Sequence, residues 1–519
     1  MDAEYDVVIV GSGAGGGTMA RALAGCDARV LLLERGDWLP QEKENWDPDA
    51  VWRRQRYRTG EAWLDRRGRE FQPFMHYVVG GNTKFWGSAL FRLREEDFTA
   101  VEHREGVSPA WPIQYADLAP WYDRAERMYH VHGEVGGDPT DPERGPFPHP
   151  PVPHEPVMAG LVERLRAQGL HPSYLPLGLI RPGEPDGCLL CNTCNSFPCL
   201  VRRKADADTV GVTPALAGEN LTLWTGARVL RLETDGAGQR VTRVVVRRNG
   251  RTSTVRGRVV VLAAGAVNSA ALLLASGGGR HPHGLANSSG LVGRRYMAHR
   301  ATMMEAWHPG RVNETVFQKT VSVNDFYRPG PGRPYPLGNL QSQGRTHAPI
   351  VKQAVPVLPL RPTAAWVRRG VDWLAMSEDL PDLENRVLLT DSGRIRLSYR
   401  RNNEASHRAL VREGSRMLRK AGYWGVVTHQ FRNENTTHQC GTAVSGEDPR
   451  TSVLDPWCRA HDLDNLYVVD ASFFPSSAAV NPGLTVVAQA LRVADHLRRS
   501  HGWGAGQHEQ EGQDEGSLV

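Results

Sequence analysis

Three glycines and an acid carry the first chemistry legible in this sequence. Gly11-Ser-Gly13-Ala14-Gly-Gly16 has the spacing of a dinucleotide-binding turn, and Glu34, with Arg35 beside it, follows about 20 residues later. In such a turn Gly11 permits the tight bend, Gly13 lets backbone amides approach a pyrophosphate, and Gly16 lets the next helix pack close to its strand. The first amides of that helix, from Ala14 on, face the phosphates. An acid at position 34 can accept hydrogen bonds from a ribose diol. By itself this unit does not separate one adenine dinucleotide from another.

Two other groupings could do chemistry. Cys188, Cys191, Cys194 and Cys199 have the close spacing of zinc or iron–sulfur ligands. No histidine or further cysteine lies near them, so the expectation is no metal, with a metal or cluster on these four thiols as the alternative. In Leu337-Gly-Asn339-Leu-Gln341-Ser-Gln343, strand alternation sets Asn339, Gln341 and Gln343 on one face. A row of neutral donors and acceptors suits sugar hydroxyls in a pocket, and equally suits a strand facing solvent.

The elements that must position these residues come next. Asp6–Val10 reads as a β-branched strand buried on both faces, Thr18–Ala24 as a helix, and Arg29–Leu33 as a second strand. Val78–Gly87, containing Gly80, Gly81 and Asn82, brings backbone close to a ring system. Gly257–Gly265 is a strand ending on the small residues Ala264 and Gly265. A C-terminal stretch runs from Asn465 through Asp470 and Ala471 to Asn481-Pro482-Gly483-Leu-Thr485, then into an apolar helix, Val486–Leu497.

Composition bounds the class. Hydrophobic content of 40%, charged content of 23% and a formal net charge of +5 over 519 residues describe an ordinary globular enzyme, not a nucleic-acid binder. The longest apolar run, Val259–Ala275, is broken by Gly265, Asn268 and Ser269, short of the roughly 20 unbroken residues of a membrane span. The opening residues lack a basic region and an export segment, so a cytoplasmic protein with no membrane partner is expected.

Taken together these segments resemble the glucose-methanol-choline (GMC) oxidoreductases, flavoenzymes of alcohols and sugars. Further matches are Trp111-Pro112 before Tyr115 and Tyr122, Val292-Gly293-Arg294 before His299, Asn385-Arg386-Val387, and His438-Gln-Cys-Gly441-Thr442. The resemblance implies an α/β chain with a Rossmann-like FAD domain (1–95, 188–300 and 440–500). It also implies a discontinuous substrate domain on an antiparallel sheet (96–187 and 301–439), and the tail 501–519 is expected to be flexible. It makes His438 the base and Asn481 the group that holds the substrate oxygen. It adds Val229, through backbone, to Glu34 near the adenosine, and Asp470 and Ala471 near the pyrophosphate and ribityl chain. Phe85 stands where some members carry a flavin-linking histidine, so FAD is expected to be non-covalent. The motif's usual basic residue after Gly-Thr is missing, since Ala443 follows. His76, His299, His308 and His461 are read as structural or surface residues.

Within the family, Phe317-Gln318-Lys319, Asp325-Phe326-Tyr327, Ser377–Pro381 and Ala479–Pro482 resemble bacterial pyranose and glycoside 3-oxidases. This implies oxidation of a sugar or glycoside ring hydroxyl at C3, with O2 as acceptor. A dehydrogenase passing electrons to a quinone or cytochrome, and a non-redox flavin-containing lyase, are the competing readings.

Overall fold

A computed structural model describes residues 3–432 and 437–504. The first strand, Ala3–Val10, lies inside a seven-stranded sheet. Val7–Val10 pairs in parallel with Val30–Leu33 on one side and with Val259–Leu262 on the other. Leu221–Trp224 extends the sheet beyond Val30–Leu33, and Leu466–Val468 extends it beyond Val260–Leu262, both in parallel. Val7, Val8, Ile9, Leu31 and Leu32 are wholly buried, as expected where both faces are covered. Ala227–Thr234 and Val241–Arg248 add an antiparallel extension to the start of the long strand Arg251–Leu262. The parallel strands end together, so Gly11, Glu34, Ala263–Gly265 and Val469–Asp470 share one edge, where sheets of this type bind ligands.

That edge is built by close backbone approach. A side chain at Gly16 would begin 1.9 Å from the Gly11 carbonyl oxygen, and one at Gly15 2.2 Å from that of Val469. Only hydrogen fits at either place, so the helix Ala14–Ala22 sits tight against both the turn and the Val469–Asp470 backbone. The C-terminal helix Gly483–His501 packs against it.

A second, six-stranded sheet is antiparallel. Its order is Gly425–Gln430, Arg300–Trp307, Gly370–Ser377, Asn339–Ser342, Val321–Val323, Pro172–Tyr174. Alternation divides its faces: Val321, Val323 and Leu340 join a core with helices Pro156–Arg166 and Glu404–Lys420, leaving Ser322 and its cross-strand partner Gln341 for the opposite face.

A four-stranded sheet joins distant parts of the chain, in the order Arg386–Leu389, Ile395–Ser398, Trp63–Asp65, Glu70–Phe71. The first of these strands packs on helix Ala266–Ala275. Arg386–Ser398 therefore sits with segments expected in the FAD domain, although the expected boundaries placed it in the substrate domain. Of the expected tail, Trp503 is buried and the Gly504 N–H donates to Asp27 (3.1 Å), while 505–519 lie outside the described residues. Among the described residues no helix is long and apolar enough to cross a membrane.

The glycine packing separates two effects that one substitution each can report. Gly16→Ala drives a methyl into backbone and is expected to cost at least ~2 kcal/mol, read as a lowered thermal midpoint of the flavin-free protein. A methyl at Gly13 meets nothing within 4 Å, so Gly13→Ala should leave that midpoint in place yet lower the flavin content of the purified protein. Equal effects of the two on the flavin-free protein would contradict this.

Candidate active site and cofactor cradle

The helix Ala14–Ala22 opens at Gly13 with no side-chain cap. The missing Gly13 side chain points into open space, and Gly81, at φ +55°, lies across from it, its own missing side chain 3.4 Å from Gly13 Cα. Uncapped helix amides beside such a gap suit a phosphate. Hydrogen bonds tie the two glycine segments together: the Gly80 N–H donates to Ser12 Oγ (3.1 Å), which donates to Glu34 (2.6 Å). Glu34 also accepts from the N–H groups of Ser12 (3.1 Å) and Gly36 (2.8 Å), leaving its Oε1 one acceptor position for a ribose hydroxyl. Burial pushes its carboxyl above the usual range. The strand holding Val229 begins beside it, with the Ala227 N–H donating to the Glu34 carbonyl (2.8 Å).

Other expected cofactor residues act mainly on the protein. Arg35 lies over the Tyr77 ring (3.6 Å) and donates to Glu61 (3.4 Å). Asp470 accepts from the Gly265 N–H (3.0 Å) and Ser269 Oγ on one oxygen and from the Ser472 N–H (2.9 Å) and Oγ on the other. It is thus a clasp between the Ala264–Gly265 turn and Ala471–Phe473, and the Ala471 carbonyl in turn accepts from the Gly441 N–H (3.0 Å). Asn82 Oδ1 accepts from the His76 N–H (2.9 Å). Phe85 is buried and stacked on His76 (3.5 Å). Pro482 opens the C-terminal helix, again with no side-chain cap, and Thr485 Oγ1 lies 2.7 Å from the Tyr122 hydroxyl. Open glycines, uncapped amides and one open acceptor position on Glu34 together fit FAD.

His438 and Asn481 meet: His438 Nε2 lies 3.5 Å from Asn481 Nδ2. Asn481 Oδ1 accepts from Gln341 Nε2 (2.9 Å). The other His438 nitrogen, Nδ1, lies 3.1 Å from Nδ1 of His299, with the rings perpendicular. His299 Nε2 donates to the carbonyls of Ser477 and Ala478, both at 2.9 Å. One backbone bridge places both rings. Met297 and Cys440 exchange N–H···O=C bonds of 2.9 and 3.1 Å, and two residues out on either strand, His299 and His438 stand opposite each other. Burial, then His299, then Lys319 push His438 down to about 3, so its imidazole is neutral. Burial lowers His299 as well.

Asn339, Gln341 and Gln343 are buried, not facing solvent. Asn339 donates to Ser322 Oγ (3.1 Å) and Asn324 Oδ1 (2.7 Å) and so belongs to the sheet's own network. Gln341 alone of the three reaches the His438–Asn481 pair, and its Oε1 has no hydrogen-bond partner among the described residues. The four clustered cysteines are free thiols, and burial pushes Cys188 up to about 12 and Cys194 to about 11. Among the described residues no three His, Cys, Asp or Glu side chains are grouped to hold a metal. Two site residues escaped the sequence reading. His299 had been taken as structural, although Val292-Gly293-Arg294 before it was a usable signal. Lys319, in Phe317-Gln318-Lys319, had been noted only as part of a match.

Comparison with known proteins shows the family. Two family models, both described as GMC oxidoreductase, match residues 5–301 and 383–490. A paromamine 6'-oxidase from Streptomyces fradiae is 34% identical over 95% of this chain and 91% of its own length. A 6'''-hydroxyparomomycin C oxidase from Streptomyces lividus is 33% identical over 96% and 92%. The crystal structure of pyridoxine 4-oxidase from Mesorbium loti superposes with a TM-score of 0.64 at 23% identity, covering 95% of this chain and 99% of that one. The chain belongs to the GMC oxidoreductases, FAD-binding flavoproteins that act on CH–OH groups.

Proposed function

We propose that this protein oxidises a ring hydroxyl of a sugar or glycoside at C3, with non-covalent FAD and with O2 as the final acceptor. The observation that carries the reading is the meeting of His438, Asn481 and Gln341 at the polar face of the antiparallel sheet. The relatives named for paromamine and hydroxyparomomycin support a sugar-like substrate, and their names put the reaction at a 6' or 6''' position, so both sites belong in the test.

Hydrogen bonds fix the protons. Carbonyls only accept, so His299 Nε2 carries its proton, and a neutral ring then leaves a lone pair on Nδ1. His438 Nδ1 faces that lone pair and must donate to it. With His438 neutral, its Nε2 is the unprotonated nitrogen, aimed at Asn481. Gln341 holds the Asn481 oxygen, which turns the Asn481 amide N–H groups toward the same spot. A substrate hydroxyl between them would donate to His438 Nε2 and accept from Asn481, a pair that takes the proton while supporting the oxygen. His299 steadies the imidazolium that results, through its lone pair. FAD, when bound, supplies the acceptor for the hydride from the carbinol carbon.

Anaerobic mixing of the holoenzyme with a panel of pyranosides and paromamine tests this directly. Expected are flavin bleaching, a 3-keto product by NMR, and reoxidation in air with peroxide release. Bleaching without peroxide would select a dehydrogenase, an aldehyde at C6 would move the regiochemistry, and no bleaching by any alcohol would reject the reading. His438→Ala should keep its FAD and lose flavin reduction by at least ~100-fold. The proton assignment makes a separate forecast. His299→Ala is expected to slow reduction ~10–100-fold, and His299→Asn, whose Oδ1 can replace the Nδ1 acceptor, to recover much of it. Equal rates in these two variants would refute the tautomer argument.

A further inference from the structure

The proton chemistry above uses no charged side chain, yet one lies beside it. Lys319 is buried, and its ammonium group makes a single hydrogen bond among the described residues, to Asn195 Oδ1 at 2.8 Å. Two of its three N–H donors are unspent. It packs against Gly87 so closely that a side chain there would begin 1.8 Å from Lys319 Nζ. The neighbouring Trp86 ring covers Gly483, the second residue after Asn481, where a side chain would begin 2.8 Å from it. Thr320, next in sequence to Lys319, donates its N–H to Ser342 Oγ (3.1 Å), beside Gln341. Lys319 is thus fixed between the Gly87 segment and the strand that carries Gln341, and its charge acts on His438.

Among the described residues no carboxylate answers this cation. The titratable groups that face it are Cys194, Lys204 and His438. Burial keeps the Cys194 thiol neutral at ordinary pH, and the Lys204 ammonium is taken by the carbonyls of Lys84 (3.2 Å), Trp86 (2.9 Å) and Phe197 (2.7 Å). A buried ammonium with spare donors and no counter-ion favours oxygen acceptors and anions and repels a second cation.

We propose that Lys319 is a substrate-facing cation that fits this pocket to neutral or acidic sugars and excludes those with a protonated amine next to the carbon being oxidised. The proposal deepens the sugar-oxidase reading and rests on it for the choice of substrates. Lys319 contributes by binding, so its loss should raise KM more than it lowers kcat. Burial brings Lys319 down to about 7, with Cys194 opposing and Lys204 adding to the shift, so it is charged below that pH and neutral above. His438 stays neutral across the range and contributes no charge.

The test uses the holoenzyme of the natural protein, Lys319→Met and Lys319→Arg, each first checked for flavin content. In one arm acetate is titrated and followed by the absorbance of the bound flavin. Saturable binding at about pH 6, at least ~10-fold weaker at about pH 9, is expected; it should vanish in Lys319→Met and persist at both pH values in Lys319→Arg. In the other arm, anaerobic flavin reduction is compared for a neutral pyranoside and its analogue aminated beside the oxidised carbon. The natural protein should prefer the neutral sugar by at least ~30-fold, and Lys319→Met should reduce that preference to ~3-fold or less. Acetate binding or a sugar preference unchanged in Lys319→Met overturns the proposal. Should no sugar reduce the flavin, the proposed function fails, and the acetate arm still decides whether Lys319 is an open cationic site.

Discussion

The Met297–Cys440 bridge is the constraint on which the active site depends. Two backbone hydrogen bonds hold together segments about 140 residues apart and bring His299 and His438 face to edge. Both histidines take positive φ, at +50° and +54°, a conformation that residues other than glycine adopt at a cost of order 1–3 kcal/mol. Surrounding bonds hold the segment in place. The Gly441 N–H donates to the Ala471 carbonyl, Thr442 Oγ1 donates to the Ala266 carbonyl, and the Gly293 N–H donates to the Thr442 carbonyl. Each of these ties the strained segment to the FAD-side framework that the Asp470 clasp also organises. The cofactor cradle and the His299–His438 pair are therefore parts of one hydrogen-bonded frame.

What could be read from the chain follows from how local each feature is. Gly11 to Glu34 is a contiguous unit whose glycines are demanded by contacts within it and with its neighbour strand, so its type and position were legible. His438 and Asn481 were legible only through the family's motifs, because 43 residues separate them and nothing local marks their meeting. Alternation set Asn339, Gln341 and Gln343 on one face but could not say which face is inside. That depends on Leu340 and Val323 packing under helices from elsewhere in the chain. Arg386–Ser398 illustrates the same limit: its partner strand is Trp63–Asp65, and no composition change announces a pairing over more than 300 residues.

Charge is the property that the sequence left most open. The family motif's basic residue after Gly-Thr is absent, and Ala443 in its place is buried and wholly apolar. Lys319 acts on His438 from the substrate-sheet side. Its stem is held by burial and its head by Asn195, so below about pH 7 it places a positive charge at a set position. A fixed positive charge beside a base disfavours protonation of that base, which fits an imidazole held neutral. On the proposed mechanism the same charge would oppose the imidazolium, and here the His299 lone pair matters. It accepts the His438 Nδ1 proton before and after the transfer, so the new positive charge has a hydrogen-bond acceptor already in place. His299 and Lys319 thus both keep this ring neutral at rest, and on the proposed mechanism the hydrogen bond between the two Nδ1 atoms stays in place when the proton arrives.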